Sequence, residues 1–280
     1  MRGDPTTPCA WANTLVRMWG PRFPVDVRQI ALEYSTRFDD PVRDIVAADV
    51  PTFEGALYPH PNGGWAILYN PSISSPGRIN FTLGHEWGHY LCHRKARPGG
   101  IECGVRDLVG ATRDIEQEAD RFASYLLMPL DDFRGQTRGQ MMTVDLLRHC
   151  ADRYEVSLTA AALKWLESTD QCAAVVVATN GFVLWFKRSA AAAKSRLFWR
   201  PGMELPPQSV AASGQQTGTA EGVRLPAGVW ADRAVREVAI FADKYEMTVS
   251  LLVFEEREFV LSGWDAEDEA DLLDRFQSRE

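Results

Sequence analysis

Three of the chain's five histidines lie close together, at His85, His89 and His93. The first two belong to the run His85-Glu86-Trp87-Gly88-His89. On a helix, residues four apart share a face and stand roughly 5–6 Å from each other. Two imidazoles so placed can grip one metal ion, with Glu86 at the edge of the same face. An ion held there lowers the pKa of a water towards ~7. Glu86 would take that water's proton during attack on a carbonyl and deliver it to the leaving amine. This is the His-Glu-x-x-His spacing of zinc-dependent hydrolysis. His93 lies about 12 Å from His85 along the helix axis, too far to share the ion, so it belongs beside a ligand or at the helix end.

Two histidines are a weak signal alone, so a second, independent one is needed, and residues 114–128 supply it. At 100° per residue, Glu116, Ala119, Asp120, Ala123 and Leu127 form one stripe, beside Ile115, Phe122 and Leu126. Carboxylates on an apolar stripe are costly unless something pairs with them. A metal for Glu116, and the free ring N–H of a ligand histidine for Asp120, would remove that cost. Glu116 is therefore the leading third ligand, with Glu102, Asp114 and Glu118 as lesser candidates. Glu118 is expected to point away into solvent. Tyr69, Tyr90, His93 and Arg121 are open as stabilisers of the oxyanion, with a structural role as the alternative for each.

The elements that must hold these residues are partly legible. Helices are expected at about Trp11–Met18 and Val25–Phe38. Phe53–Tyr58 and Trp65–Tyr69, separated by a Pro/Asn/Gly cluster, read as a hairpin. That hairpin could offer an edge strand to an extended peptide. Ser75-Pro76 starts the site helix, which runs to about Lys95 before Pro98-Gly99-Gly100. Arg113–Leu127 is the second site helix, and residues 143–168 form two short helices joined at Glu155–Ser157. Asn180-Gly181 sits between two apolar runs as a hairpin turn. Residues 201–228 read as a long loop. Val249–Glu255 and Arg257–Leu261 read as strands and Ala266–Phe276 as an amphipathic helix. Gly84 and Gly88 flank the histidines, which suits close packing against a neighbour.

Composition narrows the class. The 280 residues suggest about two domains, and 45% hydrophobic with 24% charged residues is a globular balance. No uncharged apolar stretch approaches the ~18 residues of a membrane span, and no export signal is evident, so a cytoplasmic protein is expected. A net charge of −8 is spread evenly, which argues against nonspecific capture of nucleic acid. The helical pair has a helix-turn-helix-like apolar pattern (Leu147, Cys150, Tyr154, Ala161, Trp165), yet residues 158–168 offer only Lys164 to a phosphate or base edge. Direct DNA binding is not expected. The C-terminal aromatics, among them Trp199, Trp230, Phe254 and Trp264, read as core or as a ligand pocket, and Cys172 as a buried, inert thiol.

Phe81–His93, the stretch Glu116–Ala123 and Leu126-Leu127-Met128-Pro129 together resemble the ImmA/IrrE family of metallopeptidases. The resemblance covers about residues 53–130. The extra length beyond residue 168 is similar to that of longer family members, regulators of radiation and desiccation responses. It implies an α+β architecture: a thermolysin-like zinc metallopeptidase domain (1–140), a helix-turn-helix-like segment (141–169) and a C-terminal GAF-like α/β sensor domain (170–280). It implies His85, His89 and Glu116 as metal ligands and Glu86 as catalytic residue. The ion would be Zn2+, with Mn2+ or Fe2+ as alternatives. The implied substrate is a helix-turn-helix repressor of DNA-damage response genes, with a small-molecule or signal ligand at the C-terminal domain. The rival reading is a non-proteolytic transcriptional regulator that binds DNA or a partner around a structural metal.

Overall fold

The computed structural model describes residues 3–48, 53–73, 75–103, 111–214, 220–242 and 246–255. Helices α1 (Pro8–Trp19) and α2 (Val27–Ser35) precede strands β1 (Val42–Ala47), β2 (Gly55–Pro59) and β3 (Trp65–Tyr69). Helix α3 (Pro76–Cys92), strand β4 (Ile101–Cys103) and helices α4 (Ala111–Leu127), α5 (Leu130–Thr137), α6 (Val144–Tyr154) and α7 (Leu158–Ser168) follow. The four strands form a sheet in the order β1-β3-β2-β4, with β1 parallel to β3 and the other pairs antiparallel.

Helix α3 is the centre of this part. Every residue from Thr82 to Leu91 is buried, because β2 and β3 pack on the helix and α4 packs along it. Its C-terminal end is tied down by Asp40, which accepts from Arg94 Nε at 2.9 Å and Trp65 Nε1 at 3.1 Å. Burial pushes the Asp40 carboxyl up, but these donors outweigh it and hold it below the usual range. The first turn of α3 rests on the α6–α7 connection, where a Cβ on Gly77 would lie 2.6 Å from the Val156 carbonyl carbon. That connection turns through Glu155, at φ 50°.

Strands β5 (Ala173–Thr179), β6 (Phe182–Arg188), β7 (Val223–Leu225), β8 (Val235–Ala242) and β9 (Met247–Phe254) form a second, antiparallel sheet, with short helices α8 (Ala190–Lys194) and α9 (Val210–Ser213) between them. The strand order is β6-β5-β9-β8-β7. Asn180 and Gly181 both take positive φ, 50° and 81°, as a tight two-residue hairpin turn requires. One face, with Val175, Val177, Val238, Val249 and Leu251, joins the same core as Trp87 and Trp165. The other face, with Val176, Val235 and Leu252, packs on Trp199, Trp230 and Phe254. Into this second core projects Glu237, fully buried, accepting from the backbone N–H groups of Val210 and Ala211, Trp230 Nε1 and Ser250 Oγ at 2.9–3.1 Å.

Several expectations change. The 53–69 hairpin forms, but β2 and β3 are both interior and the sheet's edges are β1 and β4, so the hairpin does not present an edge to a peptide. Ser75 stands at the N-cap of α3, yet its hydroxyl makes no capping bond among the described residues. The expected loop at 201–228 contains α9 and β7. The strand at Arg257–Leu261, the helix at Ala266–Phe276 and Trp264 lie outside the described residues. No helix among the described residues is long and apolar enough to cross a membrane.

Glu237 is an acceptor for four buried donors that its loss would orphan. Glu237→Ala should lower unfolding stability by about 3 kcal/mol, seen as a lower Tm, while Glu255→Ala at the exposed Arg224 pair should change it little.

Candidate metal centre

The site forms where α3 and α4 touch. A Cβ on Gly84 would lie 3.3 Å from Ala123 Cβ, and one on Gly88 would lie 3.0 Å from Phe122 Cδ1 and 3.2 Å from Ala119 Cα. With small residues on both helices, the axes approach closely enough for Glu116 to reach across. Its carboxylate oxygens stand 3.1 Å from His85 Nε2 and 3.3 Å from His89 Nε2, and the two Nε2 atoms are 3.0 Å apart.

Those distances fit an ion. Ligand atoms at ~2.0–2.1 Å from a tetrahedral zinc stand about 3.3 Å from one another, and the three donors form the one group among the described residues that could hold a metal. Without a cation, two imidazole nitrogens and a carboxylate crowd one point and must share protons.

The other ring nitrogens are held as well. His85 Nδ1 donates to Asp120 Oδ1 at 2.9 Å. His89 Nδ1 lies 3.0 Å from His93 Nδ1, and His93 Nε2 lies 3.0 Å from Glu118 Oε2. The consistent assignment has His89 donating to His93, and His93 donating to Glu118. With an ion bound, each metal-facing nitrogen would present its lone pair to the shared point, one ring held by a direct carboxylate and one by a two-step relay.

Glu118 is thus not simply solvated as its helical angle predicted: its side chain, 53% exposed, spans back to His93 at the end of α3. His93 is both the C-cap of α3 and a partner of His89. Of the lesser ligand candidates, Glu102 accepts from Tyr58 on the sheet, and Asp114 is exposed at the start of α4. Neither joins the trio. Tyr90 is buried and donates to the Asp40 carbonyl at 3.1 Å, Tyr69 lies under Arg28, and Arg121 is exposed, so no oxyanion donor is assigned.

Glu86, next to His85, is fully buried. Strand β2 passes so close that a Cβ on Gly55 would fall 2.6 Å from Glu86 Oε1 and 2.6 Å from Thr82 Cγ2. Gly55 is the functional position that sequence reasoning missed. Its trace was a glycine opening an otherwise apolar strand.

The titration of the trio is uneven. For His85, burial acts to lower the pKa, but the Asp120 and Glu116 carboxylates prevail and push it up to about 10. His89, enclosed more than paired, is pushed down by burial to about 4. Burial would raise Glu116, but hydrogen bonds from both imidazoles bring it down to about 2.

Fold and site together place two histidines and a glutamate that could hold a metal on a helix pair covered by a mixed sheet. Residues 43–166, which contain all four site residues, match the IrrE N-terminal-like domain, a peptidase family (M78). Through this segment the chain is similar to the ImmA/IrrE family. No curated protein sequence matches the chain. A solved structure described as a Mycobacterium tuberculosis transcriptional regulator matches with a TM-score of 0.54 at 15% identity, covering 88% of this chain and 76% of that one. At that identity the likeness is one of fold.

Two outcomes test the centre. Zinc affinity, read by competition with a chromophoric chelator, should be lost in Glu116→Ala, fall about 10- to 100-fold in Asp120→Ala and Glu118→Ala, and stay unchanged in Asp114→Asn and Glu102→Gln. Because His85 carries a second proton at neutral pH in the ion-free site, loading should release close to one proton. Affinity should therefore rise about tenfold per pH unit between pH 6 and 8 and weaken in acid, measured by calorimetry in buffers of different ionisation enthalpy.

Proposed function

We propose that this chain is a cytoplasmic, metal-dependent, site-specific endopeptidase that cleaves a helix-turn-helix transcriptional repressor and so switches on DNA-damage and radiation-resistance genes. The observation that carries the peptidase reading is the convergence of His85, His89 and Glu116 beside a buried Glu86 that lies close against strand β2 at Gly55. Zinc is the ion of choice for two imidazoles and a carboxylate, with manganese or iron as alternatives. When bound, the ion would supply Lewis acidity for both the attacking water and the carbonyl under attack. Glu86 takes the proton of the attacking water and returns it to the departing amine. Gly55, having no side chain, leaves the space that the Glu86 carboxylate occupies. Asp120 and the His93–Glu118 relay hold the imidazoles against rotation while charge builds nearby.

A protein substrate is supported by a groove of about 590 Å3 that runs from Asp120 towards the C-terminal sheet, with Phe81, Leu163 and Met247 among its apolar lining and Arg78 and Glu54 at its side. Apolar side chains flanking a scissile bond would settle there. The repressor itself is named on the family resemblance alone. The description of the structural neighbour as a transcriptional regulator is in keeping with a regulatory role. A DNA-reading role for α7 is disfavoured by Lys164, whose side chain is fully buried, donates to Glu167 at 3.1 Å and lies 3.7 Å from the Tyr125 ring centroid. The thermolysin-like reading of residues 1–140 rests on the site helix lying across the sheet. The GAF-like reading of residues 170–280 rests on their five-stranded antiparallel sheet and interposed helices.

The deciding experiment incubates a purified candidate repressor with the metal-loaded chain and with Glu86→Gln. One metal-dependent cut, absent in Glu86→Gln with metal still bound, is expected. An intact repressor, or equal cutting by both proteins, would overturn the reading, and steeply salt-dependent DNA binding would favour the non-proteolytic regulator. Gly55→Ala should lower kcat about 100-fold with zinc affinity retained. Leu163→Glu should raise KM with kcat little changed.

A further inference from the structure

Away from the metal centre, a cavity of about 950 Å3 opens in the C-terminal unit, where β5 begins, β9 ends and α8 stops. Its described lining includes Arg233, Lys194, Arg196, Ser195, Leu197 and Phe254. Asp170 and Asp232 are the lining carboxylates, so the cationic groups outnumber them by three to two.

Arg233 is the anomaly. Its side chain is only 9% exposed, and a buried guanidinium is tolerable when anions and acceptors surround it. Its carboxylate contact among the described residues is its chain neighbour Asp232, at 3.5 Å and 58% exposed. Its remaining hydrogen-bond partners among the described residues are the Ser195 hydroxyl at 3.5 Å and the Cys172 thiol at 3.9 Å, both long for hydrogen bonds. Five N–H donors in a rigid fork are thus met by weak acceptors, at the wall of a cavity large enough for a small molecule. Cys172 proves to be a half-buried wall residue rather than an enclosed thiol.

We propose that this cavity binds a small organic phosphate, its phosphoryl group on Arg233 and Ser195 with Lys194 and Arg196 at the mouth, and its organic part against Leu197 and Phe254. A phosphoryl dianion matches the guanidinium fork and draws on the two additional cations, which a monovalent carboxylate would use less. The apolar wall distinguishes such a ligand from inorganic phosphate. This inference stands independently of the peptidase reading.

The test uses the full chain and four probes: phenyl phosphate, inorganic phosphate, benzoate and phenol, with binding read by calorimetry and by the rise in Tm. Phenyl phosphate should bind most tightly and phenol not at all. Arg233→Gln should weaken phenyl phosphate at least about tenfold. Should Arg233→Gln fail to fold, Lys194→Gln combined with Arg196→Gln, both on exposed residues, should still weaken it several-fold and steepen no other loss. Absence of phenyl phosphate binding at millimolar concentration would overturn the proposal. So would phenol binding as well as phenyl phosphate, benzoate binding more tightly, or the double variant binding like the parent.

Discussion

Everything at the candidate metal centre depends on how closely two helices can approach. A carboxylate side chain is short, and Glu116 on α4 meets two imidazoles on α3 because glycine and alanine face each other where the helices cross. Larger residues at Gly84 or Gly88 would separate the helices by the width of a methyl group or more. The donors would then stand too far apart for one ion. The same crossing forces α3 into the interior, where a histidine or glutamate is tolerable only with partners. Close packing and dense hydrogen bonding at the site are therefore one requirement.

The partners are arranged unequally, and this has chemical meaning. His85 has a carboxylate directly behind it, while His89 has an imidazole and then a carboxylate. The direct pair keeps a proton tightly; the buried, indirectly paired ring sheds one easily. Both rings nonetheless present the same nitrogen to the shared point. Opposite Glu86, strand β2 gives up a side chain at Gly55, so the sheet contributes to the site by what it leaves out.

The convergence of His85, His89 and Glu116 was legible in the sequence because helical spacing converts directly into a shared face. His85, His89 and Glu116 come together, and Asp120 takes the partner role that the stripe argument assigned to it. Glu118 is exposed as expected, but its pairing with His93 was hidden because a helical wheel describes one helix in isolation. Gly55 was not singled out because its importance arises from an approach between elements far apart in sequence. The Asn180-Gly181 turn and the α6–α7 pair were readable from local chemistry. Strand β1 was not, since an edge strand with largely exposed side chains carries no clean alternation. The interior position of the 53–69 hairpin was equally hidden, because β1 and β4 join it from outside the hairpin itself. Glu237 could not be singled out, since burial of a carboxylate follows from four donors on three separate segments.

The continuous core beneath α7 also bears on how the chain is made. Trp165 and Leu166 are covered by one face of the C-terminal sheet, and the neighbouring central strands of that sheet are β5 and β9. During synthesis the metal-site helices emerge complete, and β5 follows at once, but β9 is among the last described segments to leave the ribosome. Until then the β5–β6 hairpin leaves the other edge of β5 unpaired, a surface that invites association with other chains. Closure of the sheet is a long-range event that comes late, so β9 acts as the lock on a domain whose α3–α4 pair was made well before it.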